Sequence, residues 1–194
     1  MTALDDPFTL FHQWFKAADR AEPSLPDAMS VATCTPDGRP SVRMVLLKGA
    51  GPDGFVFYTN ADSRKGLELG RNPWAALCLY WKSLGRQVRA EGPVSAVSGE
   101  EADAYFASRP RGSQLGAWAS DQSRVLPARQ DLIARLAEVE KKFQGRSVGR
   151  PPHWTGYRIR PDTIEFWHDV PNRLHDRLVY TRSDAGWRNH RLYP

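Results

Sequence analysis

Short extended segments, each closed by a turn containing Gly, Pro or Asp, recur along this 194-residue chain and constrain its fold more than any other feature. Strand patterns cover residues 29–34, 41–48, 54–59, 74–81 and 86–97. They resume at 154–160, 163–168 and 177–181, with 187–192 a candidate fourth in that group. Pro36-Asp37-Gly38 and the stretch 49–54 supply turn signals between the first of them. The run 74–81 is apolar throughout, which predicts a strand covered on both faces. It is far shorter than the roughly 20 residues that cross a bilayer.

Helices interrupt this succession. Asp5-Asp6-Pro7 suits a helix start, and Phe8, Phe11, Trp14, Phe15 and Ala18 then fall on one face before Pro23 and Pro26. Ser63 suits the cap of a short helix over 63–70. Ser98 opens another that ends near Pro110, a further short one fits 111–119, and the longest fits 127–143 with Leu132, Leu136, Val139 and Phe143 at helical spacing. The fold class expected is α+β, mainly β: one barrel domain over 1–194 with flanking helices. Residues 1–28 form its N-terminal helix, 29–97 the first barrel half, 98–144 a helical insertion and 154–194 the closing strands.

The formal charge is +5, and 21 of the 27 basic residues are Arg. The guanidinium fork suits phosphate and carboxylate. The basic residues form no long run, which argues against a nucleic-acid tail. No basic flank precedes an apolar stretch near the N-terminus, so no secretory signal is expected and a cytoplasmic protein is. Cys34 and Cys78 are far apart and read as buried thiols. The five histidines lack metal-ligand spacing, so no metal is expected.

Two motif matches fail on context. Gly49-Ala-Gly51-Pro-Asp-Gly54 fits a dinucleotide fingerprint, but a strand pattern follows it where a helix is required, so a hairpin is expected. Gly145-Arg-Ser147-Val-Gly149 fits a nucleophile elbow, but it follows a helix and runs into Pro151-Pro152, so a loop is expected.

Four clusters place phosphate donors at strand ends or helix starts. Arg43 and Lys48 lie at the two ends of one strand pattern, on opposite faces if the strand continues to Lys48. Tyr58-Thr59 runs through Ser63 into Arg64-Lys65 at a helix N-terminus, where free N–H groups and cations favour an anion. Tyr105 and Arg109 share a helical face, Ser113 follows the break at Pro110, and Gln122-Ser123 adds neutral donors. Arg173, His175 and Arg177 would face one side if extended. Each cluster alone also reads as an ordinary strand, cap or polar edge. Together they point to two phosphorylated ligands.

RMVLLK at 43–48, FYTNADSRK at 57–65, RQVRAEG at 86–92, YFASRPRGSQLGAWAS at 105–120, Gln122-Ser123, IEFW at 164–167 and RLHDR at 173–177 together resemble the pyridoxine/pyridoxamine 5′-phosphate oxidase family, over about residues 6–194. The resemblance implies a split β-barrel homodimer with FMN at the subunit interface. It implies oxidation of pyridoxamine or pyridoxine 5′-phosphate to pyridoxal 5′-phosphate with O2 as acceptor, releasing H2O2, and NH3 from the amine. Family FMN contacts fall on Arg43, Met44, Val45, Leu46, Leu47, Lys48, Tyr58, Thr59, Arg64, Lys65, Gln87, Gln122, Ser123, Trp167 and Arg177. The substrate phosphate would meet Lys48, Tyr105, Arg109 and Ser113. Arg173 and His175 would stand at the substrate ring in the catalytic position, with Leu174 between them pointing away. Longer members carry an N-terminal Arg and Tyr over the substrate; this sequence begins close to its first helix, so another lid or a more open site is expected. The alternatives are a related FMN oxidase of phenazine-precursor type and a flavin- or pyridoxal-phosphate-binding protein without catalysis.

Overall fold

A computed structural model describes residues 4–194; the start of the 1–28 segment, and with it part of the leader expectation, lies outside the described residues. Helix α1 (Pro7–Ala21) begins where expected: the Asp6 carboxylate accepts the N–H groups of Phe8 and Thr9 at 3.2 and 2.9 Å, and Pro7 occupies the first turn. Its apolar face closes the barrel. The Phe8 and Phe11 rings lie 5.5 and 5.1 Å from Phe55, and Trp14 meets Phe166 edge-on at 5.3 Å.

The strands are β1 (Ala28–Cys34), β2 (Pro40–Leu46), β3 (Gly49–Gly51), β4 (Gly54–Asn60), β5 (Trp74–Trp81), β6 (Arg86–Ala96), β7 (Trp154–Ile159), β8 (Thr163–His168), β9 (Asp176–Ser183) and β10 (Gly186–Arg191). Helix α2 (Arg64–Arg71) follows β4, while α3 (Gly99–Ser108), α4 (Arg111–Ala119) and α5 (Arg129–Lys142) lie between β6 and β7. Every pairing is antiparallel, in the order β10-β9-β8-β6-β5-β1-β2. The long strand β6 curls the sheet. Its first half, from Arg86 to Glu91, pairs with β8, and its second half, Val94 to Ala96, pairs with β7, which carries β4 and β3. The bend falls at Gly92-Pro93. A Cβ on Gly92 would sit 2.2 Å from the Arg160 carbonyl oxygen, so the residue there has to be glycine.

Period-two alternation sends Met29, Val31, Leu77, Leu79, Val88, Ile164, Phe166, Leu178 and Tyr180 inward, and all are buried. The opposite face is open in the single chain. Val42, Met44, Trp74 and Tyr80 are 68, 64, 51 and 56% exposed there. Within the single chain, the apolar residues of β5 are covered on one face only, so the two-sided cover expected for this strand is not met by one chain alone. The cysteines are free and half-buried rather than buried.

Strand β2 also stops earlier than the 41–48 pattern. The Leu47 N–H bonds to Asp27 O at 2.8 Å and the Lys48 N–H to Val56 O at 2.7 Å, and the Leu47 side chain turns into the core. The alternation drawn through Lys48 therefore does not apply. Residues 49–54 form the β3–β4 hairpin and 145–149 a loop after α5, so both motif rejections hold. Helix α5 has no fully buried residue; Leu136, Val139 and Phe143 lean on Phe106, Leu115 and Trp154. Among the described residues no helix is long and apolar enough to cross a membrane.

Candidate active site

One cleft of about 820 Å³ opens where the end of β2, β4, the α2 N-terminus and the α3–α4 junction meet. Met44, Val45, Leu46, Lys48, Tyr58, Thr59, Lys65, Tyr105, Arg109, Ser113 and Gln122 line it, so three of the four clusters converge. Leu47 does not, because its side chain is in the core.

The turn after β4 builds the cationic end of the cleft. Ser63 donates to the Asn60 carbonyl at 2.6 Å, and its hydroxyl accepts the Gly66 N–H at the start of α2. The turn approaches the helix so closely that a Cβ on Gly66 would lie 2.1 Å from the Ala61 carbonyl oxygen. This contact carries Lys65 inward. Its Nζ donates to Thr59 Oγ1 at 2.9 Å and Gln122 Oε1 at 2.8 Å, and lies 3.3 Å from Ser63 Oγ. All three acceptors are neutral. Lys65 is 7% exposed, and burial, reinforced by the nearby Arg43 charge, pulls its pKa down to about 8. A buried ammonium without a carboxylate favours an anionic ligand.

Arg43 and Arg64 differ from Lys65. They share the buried Glu68, with Arg64 Nε 2.9 Å from Oε1 and Arg43 Nη2 3.4 Å from Oε2. Burial alone would raise the Glu68 pKa, but hydrogen bonds from Ser41, Thr33 and Arg64 and the Arg43 charge hold it at about 2. The two guanidiniums are thus half-compensated from within. Arg64 lines an adjoining cleft of about 360 Å³ with Ser123, whose φ is +70°. A non-glycine residue held there is strained, as ligand-facing turns often are.

At the other wall, the Tyr58 ring stacks on Tyr105 at 4.0 Å and on Trp154 at 5.2 Å. The Tyr58 hydroxyl donates to Glu101 at 3.4 Å; burial first, and then that carboxylate, pushes its pKa up to about 12. Arg109 follows α3 in extended conformation, and burial lowers its pKa. The break at Pro110 does not leave the Ser113 N–H unpaired: it bonds to Pro110 O at 2.8 Å, which leaves the Ser113 hydroxyl as its contribution to the cleft. Lys48 is held by Asp27 at 2.6 Å.

Gln87, Trp167, Arg173, His175 and Arg177 do not reach this cleft within one chain. They belong to β6, β8, β9 and the turn before β9, three to five strands from β2 across the sheet, at about 4.8 Å per strand. Gln87, Trp167 and Arg177 lie in one row of the ladder. Arg177 grips Glu165 with Nε at 2.8 Å and Nη2 at 3.2 Å, and Arg89 donates to the same carboxylate. The fourth cluster is not extended as expected. Pro171–Arg173 is a short 3-10 turn in which Asn172 and Arg173 both have φ of +60°. It leaves Arg173 and Leu174 exposed and turns His175 back, so that Nδ1 lies 3.0 Å from Asp169 Oδ1 and the ring 4.7 Å from Trp167.

Sequence reasoning missed Trp154, Glu68 and Glu101. Trp154 had one usable signal: Gly156 two residues on, where a Cβ would meet the Tyr58 ring at 2.6 Å. Glu68 had a local signal in Arg64 four residues before it on a helix, an i,i+4 pair, and Glu101 had none, since its partners Tyr58 and Arg158 are distant in the chain.

Comparison with known proteins adds to this geometry. Residues 15–143 match the family described as pyridoxamine 5′-phosphate oxidase, and residues 154–194 the pyridoxine 5′-phosphate oxidase C-terminal dimerisation region. A pyridoxine/pyridoxamine 5′-phosphate oxidase of Rhodospirillum rubrum is 57% identical over the whole of both chains. One from Gluconobacter oxydans is 59% identical over 97% of this chain and 94% of its own. PhzG of Burkholderia lata, solved with tetrahydrophenazine-1-carboxylic acid, superposes with a TM-score of 0.93 at 36% identity, over 98% of this chain and 94% of its own. A pyridoxamine 5′-phosphate oxidase-related, FMN-binding protein from Nostoc punctiforme shares the fold, with a TM-score of 0.76 at 18% identity over the full length of both.

Proposed function

The chain belongs to the pyridoxine/pyridoxamine 5′-phosphate oxidase family, and from that premise we propose that its cleft holds FMN and oxidises pyridoxamine and pyridoxine 5′-phosphates to pyridoxal 5′-phosphate. The observation that carries this reading is one cleft holding two cations, Lys65 and Arg109, that have no carboxylate partner among the described residues. Two anionic groups are needed to compensate them, one from a cofactor and one from a substrate.

The residues present fit a flavin nucleotide phosphate. Lys65 is poised on neutral acceptors, Arg43, Arg64 and Ser123 stand beside it, and the α2 N-terminus opens there. Bound FMN would supply two-electron acceptance from the substrate carbon, with O2 as final acceptor. Tyr58, Thr59, Gln122 and the 44–48 segment position it, and Leu47 contributes only backbone. Arg109, Ser113, Tyr105 and Lys48 hold the substrate phosphate. Asp27 keeps Lys48 pointed without cancelling the charge of Arg109.

Gln87, Trp167, Arg173, His175 and Arg177 act at the cleft of a second copy. They lie on the open sheet face and beside it, and those after residue 153 fall in the stretch matched by the dimerisation region. In that arrangement Arg173 and His175 orient the substrate ring and steady its oxygen or amine. No residue is required as an obligatory base, because hydride departure needs none. Arg177, aligned by Glu165, presents charge toward the flavin.

The test is a visible spectrum of the purified protein, followed by peroxide formation on adding pyridoxamine 5′-phosphate. Flavin absorption with substrate-dependent peroxide is expected. A protein that stays colourless with excess FMN overturns the reading. The likeness to PhzG favours one second reading, oxidation of a phenazine precursor. Arg109, Tyr105 and Ser113 favour a phosphate ester instead. Faster turnover of a tricyclic carboxylic acid than of the ester would reverse that choice.

A further inference from the structure

Arg109 is the one residue of the cleft whose guanidinium carries a buried nitrogen, Nη1, with no hydrogen-bond partner among the described residues. No carboxylate pairs with it there either. Something other than an acid must hold the group in place. Its Cζ lies 5.0 Å above the Trp154 ring and 5.6 Å from the Phe106 ring. Trp154 is itself closely packed: 6% exposed, nearly parallel to Tyr58 at 9°, and met edge-on by Phe106 at 5.0 Å.

We propose that Trp154 is a positioning residue that sets the preference for a phosphorylated substrate, by holding the Arg109 guanidinium over its ring in the cleft without neutralising it. A carboxylate in that place would orient Arg109 equally well and would cancel the charge the phosphate needs. An aromatic face orients the cation by its quadrupole and leaves its N–H groups free for a bidentate contact. The inference rests on the oxidase reading and deepens it, since it says which part of the substrate Trp154 governs.

The experiment compares flavin-loaded parent, Trp154→Leu and Trp154→Phe, with pyridoxamine and its 5′-phosphate as the two substrates. Trp154→Leu is expected to raise KM for the ester about tenfold, as loss of a desolvated cation–π contact predicts, with a much smaller change in kcat. The kcat/KM for the unphosphorylated amine moves far less, so the ratio between the two collapses. Trp154→Phe, which keeps a smaller aromatic face, lowers the ratio only about two- to fivefold. Calorimetric titration of the same proteins with inorganic phosphate gives a readout that needs no turnover, and its Kd should weaken in parallel. Equal losses on both substrates, or a fall in kcat at constant KM, overturn the proposal. If Trp154→Leu does not fold, Trp154→Phe decides: a ratio lowered two- to fivefold supports the role, and an unchanged ratio refutes it. A parent protein that oxidises neither compound refutes the functional reading instead, while the phosphate titration still judges Trp154.

Discussion

Lys65 is a buried cation whose acceptors among the described residues are all neutral. Its pKa of about 8, against 10.5 for a free lysine, means that the folded chain releases this proton over a window where the unfolded chain keeps it. Flavin-free protein therefore gains stability as pH rises from about 8 toward 10.5. A bound phosphate reverses the depression. FMN binding above pH 8 should accordingly take up about one proton, read by calorimetry in buffers of different ionisation enthalpy. Lys65→Met should abolish that uptake and weaken FMN binding at neutral pH by about 1.5–3 kcal/mol, the worth of a hydrogen bond to a charged group. Uptake that persists in the variant assigns the proton elsewhere.

At the scale of elements, the turn between β4 and α2 is set by the contact of Gly66 with the Ala61 carbonyl. Gly66→Ala should force the two apart, at a cost of about 1–3 kcal/mol for overpacking, and swing Lys65 off Thr59 and Gln122. A lowered Tm together with lost flavin is expected; normal flavin content would show that the turn tolerates the shift. This element was legible in the sequence, as were α1, α3, α4 and nearly every strand, because caps, turn residues and alternation are local signals. The Pro171–Arg173 turn was not. Two successive non-glycine residues at φ +60° run against local preference, and tertiary structure holds them there. The pairing of Arg43 with Glu68 and the stacking of Trp154 were equally hidden, since each joins segments far apart in the chain, whereas Arg64 and Glu68 are an i,i+4 pair on α2.

For the whole molecule, the decisive quantity is what the sheet leaves uncovered. The sequence pattern of β5 called for cover on both faces, and one chain provides it on one. Val42, Met44, Trp74 and Tyr80 form an open apolar face on β2 and β5, in register through β1. A homodimer closes it under the proposed function. Val42→Asp, at the exposed edge of that face, should halve the mass seen by sedimentation and lower flavin content together. A flavin-replete monomer would separate the two properties.

The distance between the cleft and the turn that bears Arg173 has a consequence of its own. If each working centre borrows from two polypeptides, damage to the two parts is recessive in different ways. At limiting flavin, chains lacking Lys65 and chains lacking Arg173 would each be impaired alone, yet unfolded and refolded as a mixture they would regain activity, because a hybrid pair brings together one undamaged cleft and one undamaged turn.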